Sequence, residues 1–250
     1  MKALITGASS GLGECFACLL NNMGYDLILV ARRKKRLEQI KNRLNGNIDI
    51  YDIDLSSTFN CHKLYNKVKN EDIDIIINSA GFGMIGEFSK TKLDKEMDMI
   101  DLNIKATHTL TKLFLSDFIK KDKGYILNVA SIASFEPGPL MATYYATKSY
   151  VYNLTVAINY ELKIKGSNVY VGCLNPGPVD TEFNEVAKVN FKLKGRSSNY
   201  VCNYALLKMF KKKSVIIPGL KEKMGYLGSK FLPRNFILKY VYNVQEKKIN

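Results

Sequence analysis

The sequence predicts an α/β fold in which a doubly wound parallel sheet of about seven strands is flanked by helices, within one domain spanning residues 1–250. Three observations predict it. Short, β-branched, nearly unbroken apolar runs recur along the chain, as strands buried on both faces require. They alternate with segments of 3.6-residue periodicity, and strand alternating with helix implies parallel pairing. No internal repeat, low-complexity linker or Pro/Gly/Ser-rich hinge cuts the chain in two.

The first strand, Lys2–Thr6, ends in a glycine-rich turn and leads into a helical stretch, Leu12–Met23. Asp26–Val30 is the second strand and precedes the basic helix Lys34–Leu44. Ile48–Ile53 and Ile73–Ile77 supply the third and fourth strands, with Cys61–Val68 between them as a helix. A long periodic segment, Asp94–Phe118, leads to the fifth strand, Tyr125–Val129. The helix Tyr150–Ile164 then precedes Val169–Leu174, and Tyr200–Phe210 precedes a short last strand, Val215–Ile217. Residues 220–250 form a C-terminal helical extension. Leu220, Met224, Leu227 and Phe231 share one helical stripe, and Phe236, Ile237, Tyr240, Val241 and Val244 form another after Pro233. Such stripes are expected to pack on their own domain; the alternatives are a cover for a ligand entrance, a subunit contact or a membrane surface.

Lys plus Arg number 37 against 23 Asp plus Glu, a net charge of +14, yet 46% of residues are hydrophobic and 24% charged. A core of ordinary size can form, which excludes a disordered polybasic chain. No uncharged apolar run approaches the roughly 18 residues that span a bilayer, and Met1 to Gly13 passes from a short apolar run into a glycine turn rather than a signal-peptide core. Five cysteines without a repeating spacing fit a reducing compartment, so a cytoplasmic protein is expected. Cys15 and Cys18 form a lone Cys-x-x-Cys inside an apolar helix, and His62 and His108 stand apart, so no metal centre is expected.

The chemistry begins at Thr6-Gly7-Ala8-Ser9-Ser10-Gly11-Leu12-Gly13, between a strand and a helix. Glycine lets backbone approach a pyrophosphate closely, and the helix N-terminus offers amides and a positive dipole end. Asn78-Ser79-Ala80-Gly81 follows the fourth strand, and Asn103 lies in the next helical region. Ser131 closes the fifth strand; Tyr144 follows thirteen residues on, with Lys148 one helical turn later. Asn175-Pro176-Gly177-Pro178-Val179, with Thr181, follows the sixth strand. These motifs, in this order, resemble the short-chain dehydrogenase/reductase family, and the order of elements through the tail resembles its reductases of ketoacyl, steroid and other lipid-like carbonyls.

The resemblance implies a Rossmann-type fold and an NADP(H)-dependent oxidoreductase acting on a carbonyl or secondary alcohol. It implies catalytic roles for Asn103, Ser131, Tyr144 and Lys148. It places the cofactor on Gly7, Ser9, Ser10, Gly11, Leu12, Gly13, Asp54, Leu55, Asn78, Ala80, Gly81, Tyr144, Lys148, Pro176, Gly177, Val179 and Thr181. Asn103 would hold a water linking Lys148 to solvent.

The residues support these roles on their own chemistry. Four apart on a helix, Tyr144 and Lys148 share a face, and a neighbouring ammonium is expected to lower the phenol toward neutral pH as a proton donor. Ser131 can hydrogen-bond a substrate oxygen where charge develops. Tyr145 points about 100° away around the helix and is expected to pack. At the end of the second strand Ala31 stands where an acidic residue would favour NAD(H), and Arg32 and Arg33 follow, so NADP(H) is favoured. Asp54 resembles the family residue that meets the adenine amino group, or equally caps the turn before Ser56.

By the same resemblance the substrate pocket takes in Phe82, Met84, Ser131, Phe135, Met141 and Phe183, and residues 181–200 form a lid, polar and glycine-containing from Asn190 to Asn199. The aromatic and Met content implies an apolar or amphipathic substrate. A homodimer or homotetramer is expected. Other function classes are weaker: a nucleotide-sensing protein without chemistry does not need the intact Ser131, Tyr144, Lys148 and Asn103 set, and no nucleic-acid recognition motif is present. The charge is also uneven. Residues 188–250 hold 15 basic and 2 acidic residues, while Met1–Ala187 hold 22 and 21. A basic tail suits an anionic acyl carrier, an acyl thioester or an acidic membrane surface, or else serves solubility alone.

Overall fold

In the computed structural model, which describes residues 1–183 and 195–248, strands β1 (Lys2–Thr6), β2 (Asp26–Ala31), β3 (Ile48–Asp52), β4 (Ile75–Asn78), β5 (Tyr125–Val129), β6 (Tyr170–Leu174) and β7 (Val215–Ile216) form one parallel sheet. Its order is β3-β2-β1-β4-β5-β6-β7. The helices are α1 (Gly11–Asn22), α2 (Lys34–Lys41), α3 (Thr58–Val68), α4 (Leu93–Ile100), α5 (Thr107–Lys121), α6 (Ala142–Ile164), α7 (Ser198–Phe210), α8 (Leu220–Ser229) and α9 (Arg234–Glu246).

Alternate strand residues feed two cores, one on each face of the sheet. Ile5, Leu27, Leu29 and Ile77 pack with Phe16 and Leu20 of α1, Leu37 of α2 and Val201 and Met209 of α7. Leu4, Ile28, Ile76, Ile126 and Val171 pack on the other side with Leu64 of α3 and Leu110, Phe114 and Phe118 of α5. Burial on both faces is why these strands read as continuous apolar runs.

Strand β1 lies between β2 and β4, so the winding reverses there. Thr6 pairs with Val30 and with Asn78, and Asn78 with Asn128, which brings the strand ends to one level. In a doubly wound sheet this reversal opens a crevice beyond the strands' carboxyl ends, and every motif above sits on that edge.

Three differences from the expected elements bear on function. Helix α6 begins at Ala142, not Tyr150: its inward positions Tyr144, Thr147 and Lys148 are polar groups, so its first turns lack an apolar stripe. The segment Asp94–Phe118 divides into α4, a π-helical turn over Asp101–Ala106, and α5. Such wide turns frequently occur at functional sites, and this one carries Asn103.

The third difference is the tail. Helices α8 and α9 follow the two predicted stripes, but the expected packing on the domain is not what the first stripe does. Helix α8 buries no residue, and Leu220, Met224, Leu227 and Phe231 are 72%, 63%, 55% and 87% exposed. The cause is its orientation: its polar side faces the protein through Glu222 on Arg196 and Tyr226 on Phe135. In α9 only Ile237 and Gln245 are buried. Of the expected lid, residues 184–194 lie outside the described residues. The flanks are joined by a bridge between Val179 and Arg196.

Candidate active site

The glycine turn closes over the end of β1. The Thr6 hydroxyl accepts hydrogen bonds from the amides of Ser79 (3.1 Å) and Ala80 (3.2 Å), tying β1 to the loop after β4. Gly7 adopts φ +67°, and a Cβ there would meet the Ala80 backbone at 2.8 Å. A Cβ on Gly13 would strike the Gly7 carbonyl. Ser10 makes no side-chain cap to α1, so the helix's first amides stay available to an anion.

These groups line one side of a cleft of about 410 Å³. Its wall runs from Arg32, Asp54 and Leu55 past Ser9, Ser10, Gly11 and Leu12 to Pro176, Gly177, Val179 and Thr181, and ends at Ser131, Tyr144 and Lys148. Ala80 and Gly81 form the floor between them. Gly13 and Asn78 lie beneath the lining. Gly13 lets α1 approach the turn, and Asn78 donates to Asn128 Oδ1 (2.8 Å) and Thr111 Oγ1 (3.2 Å) inside the sheet.

Ser131, Tyr144 and Lys148 converge at one end of the cleft, with Asn103 buried outside its lining. Ser131 caps the short 3₁₀ turn Ile132–Ser134, its Oγ accepting from the Ala133 amide at 3.1 Å, and its hydroxyl lies close enough to favour the Tyr144 phenolate. Lys148 donates to the Val129 carbonyl at 2.9 Å, with its Nζ 5.9 Å from the Tyr144 ring centre. Asn103, 1% exposed, accepts from the Phe82 amide (3.1 Å) and donates to the Phe82 carbonyl (2.9 Å) and to Thr147 (3.1 Å). A Cβ on Gly81 would lie 2.8 Å from Asn103 Oδ1 and 3.4 Å from Lys148 Nζ, so both groups face the space this glycine leaves open.

The electrostatics differ from the expectation. Burial pushes the Tyr144 phenol up to about 12, against the lowering contributed by Ser131, and pushes Lys148 down to about 8. Lys148 therefore does not draw the phenol toward neutral pH; desolvation of both groups outweighs their proximity.

At the opposite end Ala31 offers no carboxylate. Arg33 lies along the glycine turn, donating to Ser9 Oγ and Ser9 O at 3.2 Å each, and pairs with Glu182 at 2.8 Å. Arg32 stands 3.8 Å from Asp54, whose other oxygen accepts from the amide and hydroxyl of Ser56. Asp54 thus caps its own turn and also lines the cleft.

Of the expected substrate residues, Phe82, Ser131, Met141 and Phe183 line the cleft, and Met84 and Phe135 do not. Met84 packs behind it with Met99, Met141 and Tyr144. Phe135 is drawn away onto Tyr152 and Tyr226, with ring centres 5.2 and 4.3 Å apart. Tyr145, read as packing, does pack on Gly138 but also lines the cleft. Its hydroxyl accepts from Gln245 Nε2 at 2.6 Å, and Lys248 donates to Gln245 Oε1 at 2.8 Å. Gln245 and Lys248 line the cleft from the tail and were missed in the sequence. The available signal was a polar residue continuing the inward row of Ile237 and Val241, at the four-residue spacing of one helix face.

The profile of the short chain dehydrogenase family matches residues 1–190. An uncharacterised oxidoreductase of Staphylococcus epidermidis is 35% identical over 185 residues, 73% of this chain and 80% of its own length. A further uncharacterised oxidoreductase, from Staphylococcus aureus, is 33% identical over 72% of this chain and 78% of its length. Among solved structures, a short-chain dehydrogenase from Sphingobium yanoikuyae in complex with NADPH superposes with a TM-score of 0.83 at 28% identity, covering 92% of each chain. The bulky-bulky ketone specific alcohol dehydrogenase from Comamonas testosteroni gives 0.80 at 30% identity, covering 92% of this chain and 91% of that one. With these likenesses the chain belongs to the short-chain dehydrogenase/reductase family and is an oxidoreductase acting on CH–OH donors.

Proposed function

We propose that the protein is an NADP(H)-dependent oxidoreductase that passes hydride between nicotinamide and the carbonyl or secondary-alcohol carbon of an apolar or amphipathic molecule, acyl and lipid-like substrates included. One observation carries this reading: Ser131, Tyr144 and Lys148 meet at one end of a cleft whose other end is a backbone cradle without side chains at Gly7 and Gly11. That cradle fits a pyrophosphate, with uncapped α1 amides directed at it. Arg32 and Arg33, with Ala31 in place of an acid, fit a 2′-phosphate. When bound, the dinucleotide supplies or accepts the hydride.

The chain's own residues then handle the oxygen and its proton. The Ser131 hydroxyl faces the substrate oxygen and stabilises the charge that grows on it. At neutral pH the buried Tyr144 phenol is protonated, so in the direction of reduction its Oη gives the proton to that oxygen. Lys148, whose amine burial brings down to about 8, can release a proton near neutral pH and so resupply the one Tyr144 gives up. Phe82, Met141, Tyr145 and Phe183 form an apolar wall that favours apolar substrates.

The reading includes a cytoplasmic enzyme that forms a homodimer or homotetramer. It is tested by offering the purified protein a panel of ketones and oxoacyl esters with NADPH or NADH and following absorbance at 340 nm. Consumption of NADPH, faster on apolar ketones and slower with NADH, is expected. No consumption of either nucleotide across the panel overturns it.

A further inference from the structure

We propose that the outward faces of α8 and α9 seat the protein on an anionic lipid surface. At 100° per residue, Leu220, Met224 and Leu227 fall within about 60° of one another, on the opposite side of α8 from its anchors Glu222 and Tyr226. The anchors are specific: Glu222 pairs with Arg196 at 2.8 Å, and the Tyr226 ring packs 4.3 Å from that of Phe135. The apolar stripe is therefore held pointing away from the protein, continued by Phe231 and Leu232, 87% and 48% exposed. On α9, Phe236 and Tyr240 are likewise 60% and 65% exposed, while Ile237 and Gln245 are the residues that helix buries. So many large apolar side chains left exposed on one tail mark an interaction site.

Charge selects the occupant. Between Leu220 and Lys247 stand Lys221, Lys223, Lys230, Arg234, Lys239 and Lys247, against two acids, while Lys248 turns into the cleft onto Gln245. One of those acids, Glu222, is turned inward onto Arg196, leaving Glu246 as the outward one. Cations flanking a narrow apolar stripe are the pattern of a helix lying in the headgroup plane of an acidic bilayer, while two copies of this face would bring cations against cations. Among the described residues no helix is long and apolar enough to cross a membrane, so the contact is peripheral.

The same tail lines the cleft through Gln245 and Lys248, so docking by the tail holds the cleft near the lipid surface. A lipid-borne carbonyl substrate could then pass from the surface into the cleft. That step rests on the proposed reaction; the docking does not.

The test is co-sedimentation of the full chain with vesicles of phosphatidylcholine, alone or with about one-third phosphatidylserine. Binding to the anionic vesicles at least tenfold tighter than to the neutral ones, weakened by salt, is expected. Leu227→Glu with Phe231→Glu, both solvent-facing, should weaken it at least tenfold while NADPH consumption on a water-soluble ketone is unchanged. The proposal is overturned by absence of vesicle binding, by equal binding of the variant, by a parent oligomer that the variant loses in light scattering, or by retention on polyglutamate with none on vesicles. Sedimentation needs no turnover, so failure here and failure of the reaction are read separately.

Discussion

Replacing Lys148 with methionine removes an ammonium that is 6% exposed and displaced by burial from 10.5 to about 8. At about 1.4 kcal/mol per unit, holding that proton in the native state costs about 3 kcal/mol when both native and unfolded chains are protonated. Between pH 8 and 10.5 the unfolded chain binds more protons than the native one, so the stability of the parent rises with pH through that window. By linkage, moving from pH 7 to pH 9 relieves about 1 kcal/mol. Tyr144 adds no slope there, because its own window lies between 10 and about 12. Lys148→Met never carries the penalty, but leaves the Val129 carbonyl without its donor, a cost of about 1–3 kcal/mol. The variant is expected to equal or exceed the parent in stability at pH 7, to lose about 1 kcal/mol of that relative standing by pH 9, and to turn over poorly at both. Urea unfolding of both proteins at the two pH values measures this. A stability difference independent of pH would refute a buried, strained Lys148.

Ala31→Asp places a carboxylate beside Arg32 in the cleft, where it would accept from a ribose 2′-hydroxyl and repel a 2′-phosphate. The ratio of kcat/KM for NADPH over NADH is expected to fall at least tenfold, about 1.4 kcal/mol, and an unchanged ratio would remove the two arginines from cofactor choice. Gly13→Ala drives a methyl into the Gly7 carbonyl, so a loss of about 1–3 kcal/mol is expected together with weaker nucleotide binding, read by thermal unfolding with and without NADPH.

What could be read in the sequence follows what local pattern encodes. Strands such as Leu27–Val30, buried on both faces, announce themselves as apolar runs, and the glycine turn, Ser131, Tyr144 and Lys148 are brought to one cleft, with Asn103 against Gly81 of its floor. The four-residue spacing of Tyr144 and Lys148 reveals a shared helix face. It does not reveal depth, and depth is what sends the phenol up and the amine down. Phe135 shows the same limit: its loop position suggests the pocket, but a contact with Tyr226, 91 residues on, decides otherwise. Long-range partners also explain Gln245, which reads as the polar end of a stripe until Tyr145 is placed beneath it. The stripe of α8 is legible, whereas the direction it faces depends on where Arg196 and Phe135 hold its polar side.

The central claim is that Tyr144 moves the proton in a nucleotide-dependent redox step. Tyr144→Phe keeps the ring that packs 5.5 Å from Phe183 and removes only the hydroxyl beside Ser131. The account predicts NADPH binding, by fluorescence titration, within about twofold of the parent, with kcat on the best ketone of the panel lower by about 10²-fold or more. Turnover at the parent's rate with NADPH still bound would contradict it.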